Sequence, residues 1–228
     1  MNINKYIAQA GLASRRGADE LIKAGRVRIN DKIAIPIHKV NSKDRVFVDN
    51  KEIQLETKKV YLAFHKPIGV ICTTDKDSPN NIIDHIKYPI RIFPIGRLDV
   101  NSTGLILLTN DGDLAQEVMK SKKVEKEYMV QVDKELDEAV LIGLSNGTVV
   151  LDGFPVLPAK ITKLTERSFD IIIVEGRNRQ IRRMCEAFRL NVTKLTRVRI
   201  GNISLEGIKE SKFVEIKPED IRNLLTNK

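Results

Sequence analysis

The sequence predicts an α+β protein in two parts: a small N-terminal module, then a larger domain built on a mostly antiparallel mixed β-sheet with flanking helices. Three observations predict it. From Val60 on, strand patterns outnumber helical ones and mostly do not alternate with them, which favours an antiparallel sheet over repeated βαβ units. The first fifty residues carry their own pair of short helices and a hairpin. And 42% of the 228 residues are hydrophobic, enough for a packed core.

In chain order, "NINKYIAQAG" reads as a short helix closed by Gly11. "SRRGADELIKAG" follows, with Ser14 as N-cap and Gly25 just past the end. Ala18, Leu21 and Ile22 fall at i, i+3, i+4 and face a core. "RVRIN" and "DRVFVDN" read as two strands. So short a unit buries little apolar surface by itself. The polar stretch "QLETKK", residues 54–59, marks its end, giving a module over 1–55 and a second domain over 60–228. In the second part "VYLAFH", "GVICTT", "GLILLT", "KEYMVQV", "GTVVL", "AKITKL", "SFDIIIVE" and "VTKLTRVRI" are strand-like. "DLAQEVMK", opening at Asp113 with Gln116 three residues on, reads as a helix with a near capping box. "DEAVLIGLSNG" and "PEDIRNLL" are two more helices.

Charge narrows the partner. The chain nets +9, and residues 1–50 hold ten Lys/Arg against five Asp/Glu while residues 171–200 hold eight against two. Two basic patches on an otherwise balanced body suggest a polyanion touched in two places; a generally basic, soluble surface is the alternative. Lys5, Arg15, Arg16, Lys23, Arg26 and Arg28 are the phosphate-contact candidates in the first patch, although Arg15 with Asp19 and Arg16 with Glu20 have the spacing of self-neutralising helix pairs. With aromatics at 5% and no Trp, recognition of a folded backbone fits better than a stacking platform for long single strands.

Other classes are excluded. No stretch approaches the ~20 apolar residues of a membrane span, and "MNINKYIAQAG" lacks the apolar segment of a secretory signal, so a cytoplasmic location is expected. Cys72 and Cys185 have no metal-ligand spacing and the three histidines are scattered, so no metal is expected. There is no G-x-G loop, Walker A motif or G-x-S-x-G elbow.

One acid stands out. Asp99 sits between Leu98 and Val100, beside Arg97, at the mouth of the apolar run Leu105 to Leu108. Desolvation raises a carboxylate's pKa unless a cation offsets it; ionised but poorly solvated is what a nucleophile or base needs. A turn cap or a surface pair with Arg97 is the equally available reading. Asp111 and Asp113, in "NDGD", are explained by turn chemistry. In "EGRNRQIRRMCEAF", Ile181, Met184, Cys185 and Phe188 define an apolar helix face; Arg179 and Arg183 point away from it and Arg182 lies on its border. Arg182 can therefore reach a cleft, while a plain charged helix face is the bland alternative. Tyr128 shares a strand face with Val130 and Val132; a core tyrosine and a ring that stacks on a base both fit.

These motifs resemble a known family. "NKYIAQAGLASRRGADELIKAGRVRIN" looks like an S4 RNA-binding domain, and "FPIGRLDVNSTGLILLTNDGDLA" is similar to the catalytic motif of small-ribosomal-subunit-A-type pseudouridine synthases. "HKPIGV", "EKEYMV" and "EGRNRQIRRMCEAF" match that family's other motifs in the same order, and the resemblance is nearest to the F-type enzymes of large-subunit ribosomal RNA. It implies the S4 and pseudouridine synthase folds and a cofactor-free isomerase that breaks the N1–C1′ bond of a uridine, turns the base and rejoins it through C5. It makes Asp99 the catalytic aspartate, Tyr128 the residue stacking on the target base, and Arg182 the basic residue paired with the aspartate. Leu195 becomes a pocket residue, and Lys66 and Pro67 parts of a mainly structural motif; Arg97, beside the aspartate, is then expected at the pocket too, and Arg179 and Arg183, on the outer helix face, as contacts to RNA. It further implies a monomer acting on ribosomal RNA, 23S first. A 16S enzyme, a non-catalytic RNA- or ribosome-binding protein of the same fold, and a nucleoside glycosylase are the rivals.

Overall fold

The computed structural model describes residues 1–226. Two compact units emerge: residues 1–60 with 88–92 and 110–112, and the remainder.

The first unit opens with α1 (Ile3–Gln9) and α2 (Arg15–Lys23). The Ser14 side chain accepts the Gly17 N–H at 3.0 Å, the expected N-cap. Gly11 and Gly25 leave the two helices at φ +80° and +69°, where a side chain would be strained. Ala18 and Ile22 are buried against Ile3, Ile7, Val27, Val46 and Val48. The sequence predicted two strands, and the sheet has four: β1 (Val27–Ile29), β2 (Lys32–Ile33), β3 (Val46–Val48) and β4 (Lys51–Ile53), in the order β2-β1-β3-β4. The added strands are only two and three residues long, too short to show a period. Between β3 and β4, Asp49 and Asn50 both take positive φ, as a type I′ hairpin requires.

The second unit runs β5 (Tyr61–Lys66), α3 (Ile82–Ile86), β6 (Phe93–Ile95), β7 (Thr103–Thr109), α4 (Gly112–Lys120), β8 (Lys126–Val132), α5 (Glu138–Ser145), β9 (Val150–Leu151) and β10 (Phe154–Pro155). It continues with β11 (Lys160–Thr165), β12 (Ser168–Ile173), α6 (Gln180–Ala187), β13 (Val192–Ile200), β14 (Ile203–Ser204), β15 (Phe213–Glu215) and α7 (Pro218–Thr226). The main sheet has the order β11-β12-β8-β13-β7-β5-β15. Only β13 and β7 run parallel; every other strand pairing among the described residues is antiparallel. β7 lies inside the sheet, between β13 and β5, and every residue of it is buried. Leu105 and Leu107 join a core with Val118 of α4 and Ile221 and Leu224 of α7; Ile106 and Leu108, fully buried, point to the opposite face. That two-sided burial explains the uninterrupted apolar run.

"GVICTT" is not a strand. Its start is a loop in which Lys66 Nζ donates to the Pro67 and Val70 carbonyls at 2.9 and 3.0 Å, and Ile71 makes only an isolated bridge to Asn81. "GTVVL" shrinks to the two residues of β9, folded back on β10 through Asp152 and Gly153 at φ +56° and +81°. α3 went unseen because its five residues are too few for a helical period, although Asn81 caps it by accepting from Ile83 and Asp84 N–H. α4 starts at Gly112, which places Asp113 in its first turn and not at the cap.

Candidate active site

Asp99 stands four residues before β7, in a tied-down turn. Its carbonyl accepts the Ser102 N–H at 3.0 Å, the Val100 carbonyl accepts the Gly69 N–H at 2.9 Å, and the Asn101 carbonyl accepts Arg182 Nη2 at 2.8 Å. The carboxylate lies in a cleft of about 330 Å³ lined also by Arg97, Tyr128, Arg179, Leu195 and Arg197. It is less dry than its sequence neighbours suggest: 30% of the side chain is exposed. The reason is local, since Leu98 is buried but Val100 turns outward.

The arginines divide differently from the expected pairing. The cation nearest Asp99 is Arg179, whose Nη1 lies 4.0 Å from Oδ2. Arg179 caps α6 with a left-handed backbone, φ +49° and ψ +35°, and its side chain stays half-exposed. Arg182 is buried, and its guanidinium goes to protein oxygens: Nη1 to the Val192 carbonyl at 3.0 Å, Nη2 to Asn101 and, at 3.4 Å, to Ser102 Oγ. Its Nε has no hydrogen-bond partner among the described residues. Burial pulls the Arg182 pKa down, the Arg179 charge adds to that, and Asp99 partly opposes it. Arg182 thus fixes the turn that carries Asp99; it does not hold the carboxylate by a fork. Arg183 lies in an ion pair with Asp152 at 2.8 Å. The predicted apolar face of α6 is present, with Ile181, Met184 and Cys185 buried and Phe188 half-buried.

Tyr128 on β8 is 8% exposed. Leu195 on β13 lies opposite Val130, two residues from Arg197 on the same strand face. Arg197 is the residue that sequence reasoning passed over. It is buried at 4% exposure. Its Nε donates to the Leu105 carbonyl at 2.7 Å, and Nη1 reaches the Tyr128 hydroxyl at 3.4 Å. Lys126 was passed over too: it lines the cleft with Nζ on the Val124 and Val174 carbonyls at 3.1 and 3.3 Å. Burial lowers the pKa of Lys126, and the Arg197 charge lowers it further. Lys66, fully buried, is lowered by burial as well. The missed signal was the strand period: Arg197 is Leu195+2, and Lys126 is Tyr128−2.

In the first unit Arg15, Arg16 and Lys23 are exposed on α2 and Lys5 is half-buried on α1. Asp19 accepts the Asn4 amide at 2.9 Å. Arg26 is held by Asp49, with Nε to Oδ1 at 2.7 Å, and Arg28 lies over the Phe47 ring at 5.0 Å. Among the described residues, no three His, Cys, Asp or Glu side chains gather to hold a metal, and no helix is long and apolar enough to cross a membrane.

A basic helix-and-hairpin module and a mixed sheet that holds one carboxylate among cations point to a protein directed at nucleic acid. Comparison with known proteins makes that specific. Residues 60–187 match the RNA pseudouridylate synthase family and residues 1–53 the S4 domain. The chain is 41% identical over 97% of its length to the dual-specificity RNA pseudouridine synthase RluF of Salmonella typhi, covering 78% of that protein. It is 38% identical, again over 97% of its length, to the ribosomal large subunit pseudouridine synthase B of Bacillus subtilis, covering 94% of it. A crystal structure of a pseudouridylate synthase superposes with a TM-score of 0.73 at 28% identity, over 98% of this chain and 99% of that one. The chain belongs to the RNA pseudouridylate synthase family, in the branch with an N-terminal S4 domain, and is an isomerase.

Proposed function

We propose that this enzyme converts a uridine of large-subunit ribosomal RNA to pseudouridine, working in the cytosol as a monomer without a cofactor, with the S4 module over 1–55 as RNA anchor and 60–228 as catalytic domain. The name of the Bacillus subtilis relative, a ribosomal large subunit pseudouridine synthase, supports the ribosomal target. The observation that carries the assignment of roles is the single carboxylate, Asp99, set in a cleft whose other charged lining residues, among those described, are all cations.

The uridine leaves its stack, at a cost of a few kcal/mol, and enters the cleft beside Tyr128. Asp99 meets the positive charge that develops at C1′ as the N1–C1′ bond breaks. The pair of electrons leaves with the ring. The base turns, C5 bonds to C1′, the C5 proton departs and N1 takes one up. Nothing is hydrolysed, so one acid suffices. Leu195 confines the base and the Tyr128 ring stacks on it. Arg97, exposed at the rim, and Arg179 face the RNA strand, and Arg183 is a further RNA contact once its pair with Asp152 opens.

Asp99→Asn tests this directly. The variant should melt like wild type, bind ribosomal RNA and form no pseudouridine, read by carbodiimide modification and primer extension on RNA from cells carrying it. Wild-type activity in the variant would remove Asp99 from the chemistry, and release of free uracil by the normal enzyme would make it a glycosylase.

A further inference from the structure

We infer that Arg197, seconded by Lys126, is the charge that receives the detached base: it steadies the Tyr128 hydroxyl and stabilises the uracil anion between bond breaking and bond making. The inference rests on the pseudouridine reading above and extends it to residues that the family motifs leave without a role.

The first argument is charge balance. Arg97, Lys126, Arg177, Arg179 and Arg197 line the cleft, against Asp99 as the one carboxylate among the described lining residues. Arg179 answers Asp99, and Arg177 is paired with Glu175 at 3.3 Å. Arg97 lies exposed in water. Arg197 and Lys126 remain, and among the described residues both hydrogen-bond only to neutral oxygens: the Leu105 carbonyl and Tyr128 hydroxyl for one, the Val124 and Val174 carbonyls for the other. Buried charge is costly unless an opposite charge answers it.

The second argument is an orphan donor. Arg197 Nη2 is buried and has no hydrogen-bond partner among the described residues. Buried donors in a folded protein nearly always have a partner, and Arg197, unlike Arg182 with its own open Nε, lines the cleft. The strand frame holds Arg197 firmly: it is paired in register with Tyr128 of β8 and with Gly104 of β7, and its guanidinium carbon lies 5.9 Å from the Tyr128 ring centre. A base stacked against that ring comes within the field of the guanidinium.

The chemistry supplies the missing negative charge. When N1–C1′ opens, its electron pair stays on the ring and spreads to the two carbonyl oxygens. C1′ bonds to the Asp99 carboxylate, so the carboxylate's charge has in effect moved to the base. A preorganised cation at the place where charge develops costs no reorganisation at the moment of reaction. Because Arg197 donates to Tyr128 Oη, the phenol hydrogen is turned away from Arg197. When C5 attacks C1′ the carboxylate is expelled and regains its charge. The uracil charge exists only between those two steps, so a cation there favours the transition state over bound uridine.

The test uses the full-length enzyme and a leaving-group comparison. Single-turnover loss of the target nucleotide is followed in ribosomal RNA fragments carrying uridine or 5-fluorouridine, whose electron-withdrawing fluorine stabilises the base anion by itself. Arg197→Gln should slow the uridine reaction by about 10²-fold, in the range found for loss of one preorganised donor. It should slow the 5-fluorouridine reaction by at least tenfold less, leave RNA affinity unchanged, and be partly rescued by Arg197→Lys. Equal losses on both substrates, or a parallel fall in RNA affinity, would overturn the inference and leave Arg197 a structural tie to Leu105. If Arg197→Gln does not melt cooperatively, Lys126→Gln reads the same dependence: a smaller loss on 5-fluorouridine supports the role and an equal loss overturns it. Wild-type enzyme inactive on uridine RNA would instead sink the pseudouridine reading itself.

Discussion

At the scale of single residues, Arg179 and Arg182 are separable by what each touches. Arg182 is buried and donates to the Val192 and Asn101 carbonyls, so removing it costs two charge-assisted hydrogen bonds, a loss of about 1–3 kcal/mol. Arg182→Ala should therefore lower the melting temperature, and with it kcat, because Asp99 lies on the turn that Arg182 ties. Arg179 is half-exposed beside Asp99 at 4.0 Å, a geometry worth at most about 1 kcal/mol of stability. Arg179→Asn keeps a residue that tolerates the left-handed backbone and removes only the cation. It should melt like wild type and lose roughly tenfold or less in kcat/KM for RNA. Calorimetry beside steady-state kinetics decides; a matched loss of melting temperature in both variants would contradict the division. This difference was not legible in the motif, where the two arginines are three residues apart and look alike. Position on the apolar border pointed Arg182 toward a cleft; it is buried on backbone carbonyls and is not among the residues lining the cleft around Asp99, and nothing in a single sequence says whether an inward arginine meets a carboxylate or a carbonyl.

At the scale of elements, the site depends on how closely β13 approaches β7. Gly104 takes φ +110°, and a Cβ there would lie 2.3 Å from the Arg197 carbonyl oxygen. Only glycine permits the parallel contact that sets Leu195 and Arg197 beside Asp99. Gly104→Ala combines a disfavoured φ with an overpacked backbone contact, together about 2–4 kcal/mol. For a chain this long that corresponds to roughly 4–16 °C in melting temperature. Scanning calorimetry should show it, and activity should fall even below the transition because β13 is displaced; an unshifted melt would mean the strands separate at no cost. The fully buried strand β7 itself was readable, because burial on both faces erases alternation and leaves the plain run Leu105 to Leu108. So were α2, α5, α6 and α7, which carry a cap or a full apolar period. What escaped is short or bent: β2, β14 and α3 hold two to five residues, fewer than a period needs, and "GVICTT" is strand-like in composition but is claimed by the buried ammonium of Lys66.

At the scale of the whole molecule, the sequence showed where positive charge concentrates but not how much of it is free. Folding commits part of it: Arg26 to Asp49, Arg45 to Glu52, Arg183 to Asp152, and Arg199 to Glu125 and Glu127. Arg15, Arg16 and Lys23 stay exposed on one short helix, so α2 is the strongest candidate to displace counterions from RNA. Each phosphate neutralised contributes roughly 0.7–0.9 to the slope of log K against log salt. The Arg15→Ala/Arg16→Ala/Lys23→Ala variant should therefore flatten that slope by about 2–3, measured by filter binding to a ribosomal RNA fragment between about 50 and 200 mM salt. The single-turnover rate at saturating RNA should be unchanged, since Asp99 and its cleft lie in the other unit. Arg26→Ala is the contrast: it removes one cation but frees the Asp49 carboxylate already paired with it, and should weaken binding without lowering the slope by a full phosphate. An unaltered slope in the triple variant would mean that RNA is held elsewhere, and the basic composition of the first fifty residues would then be a matter of solubility.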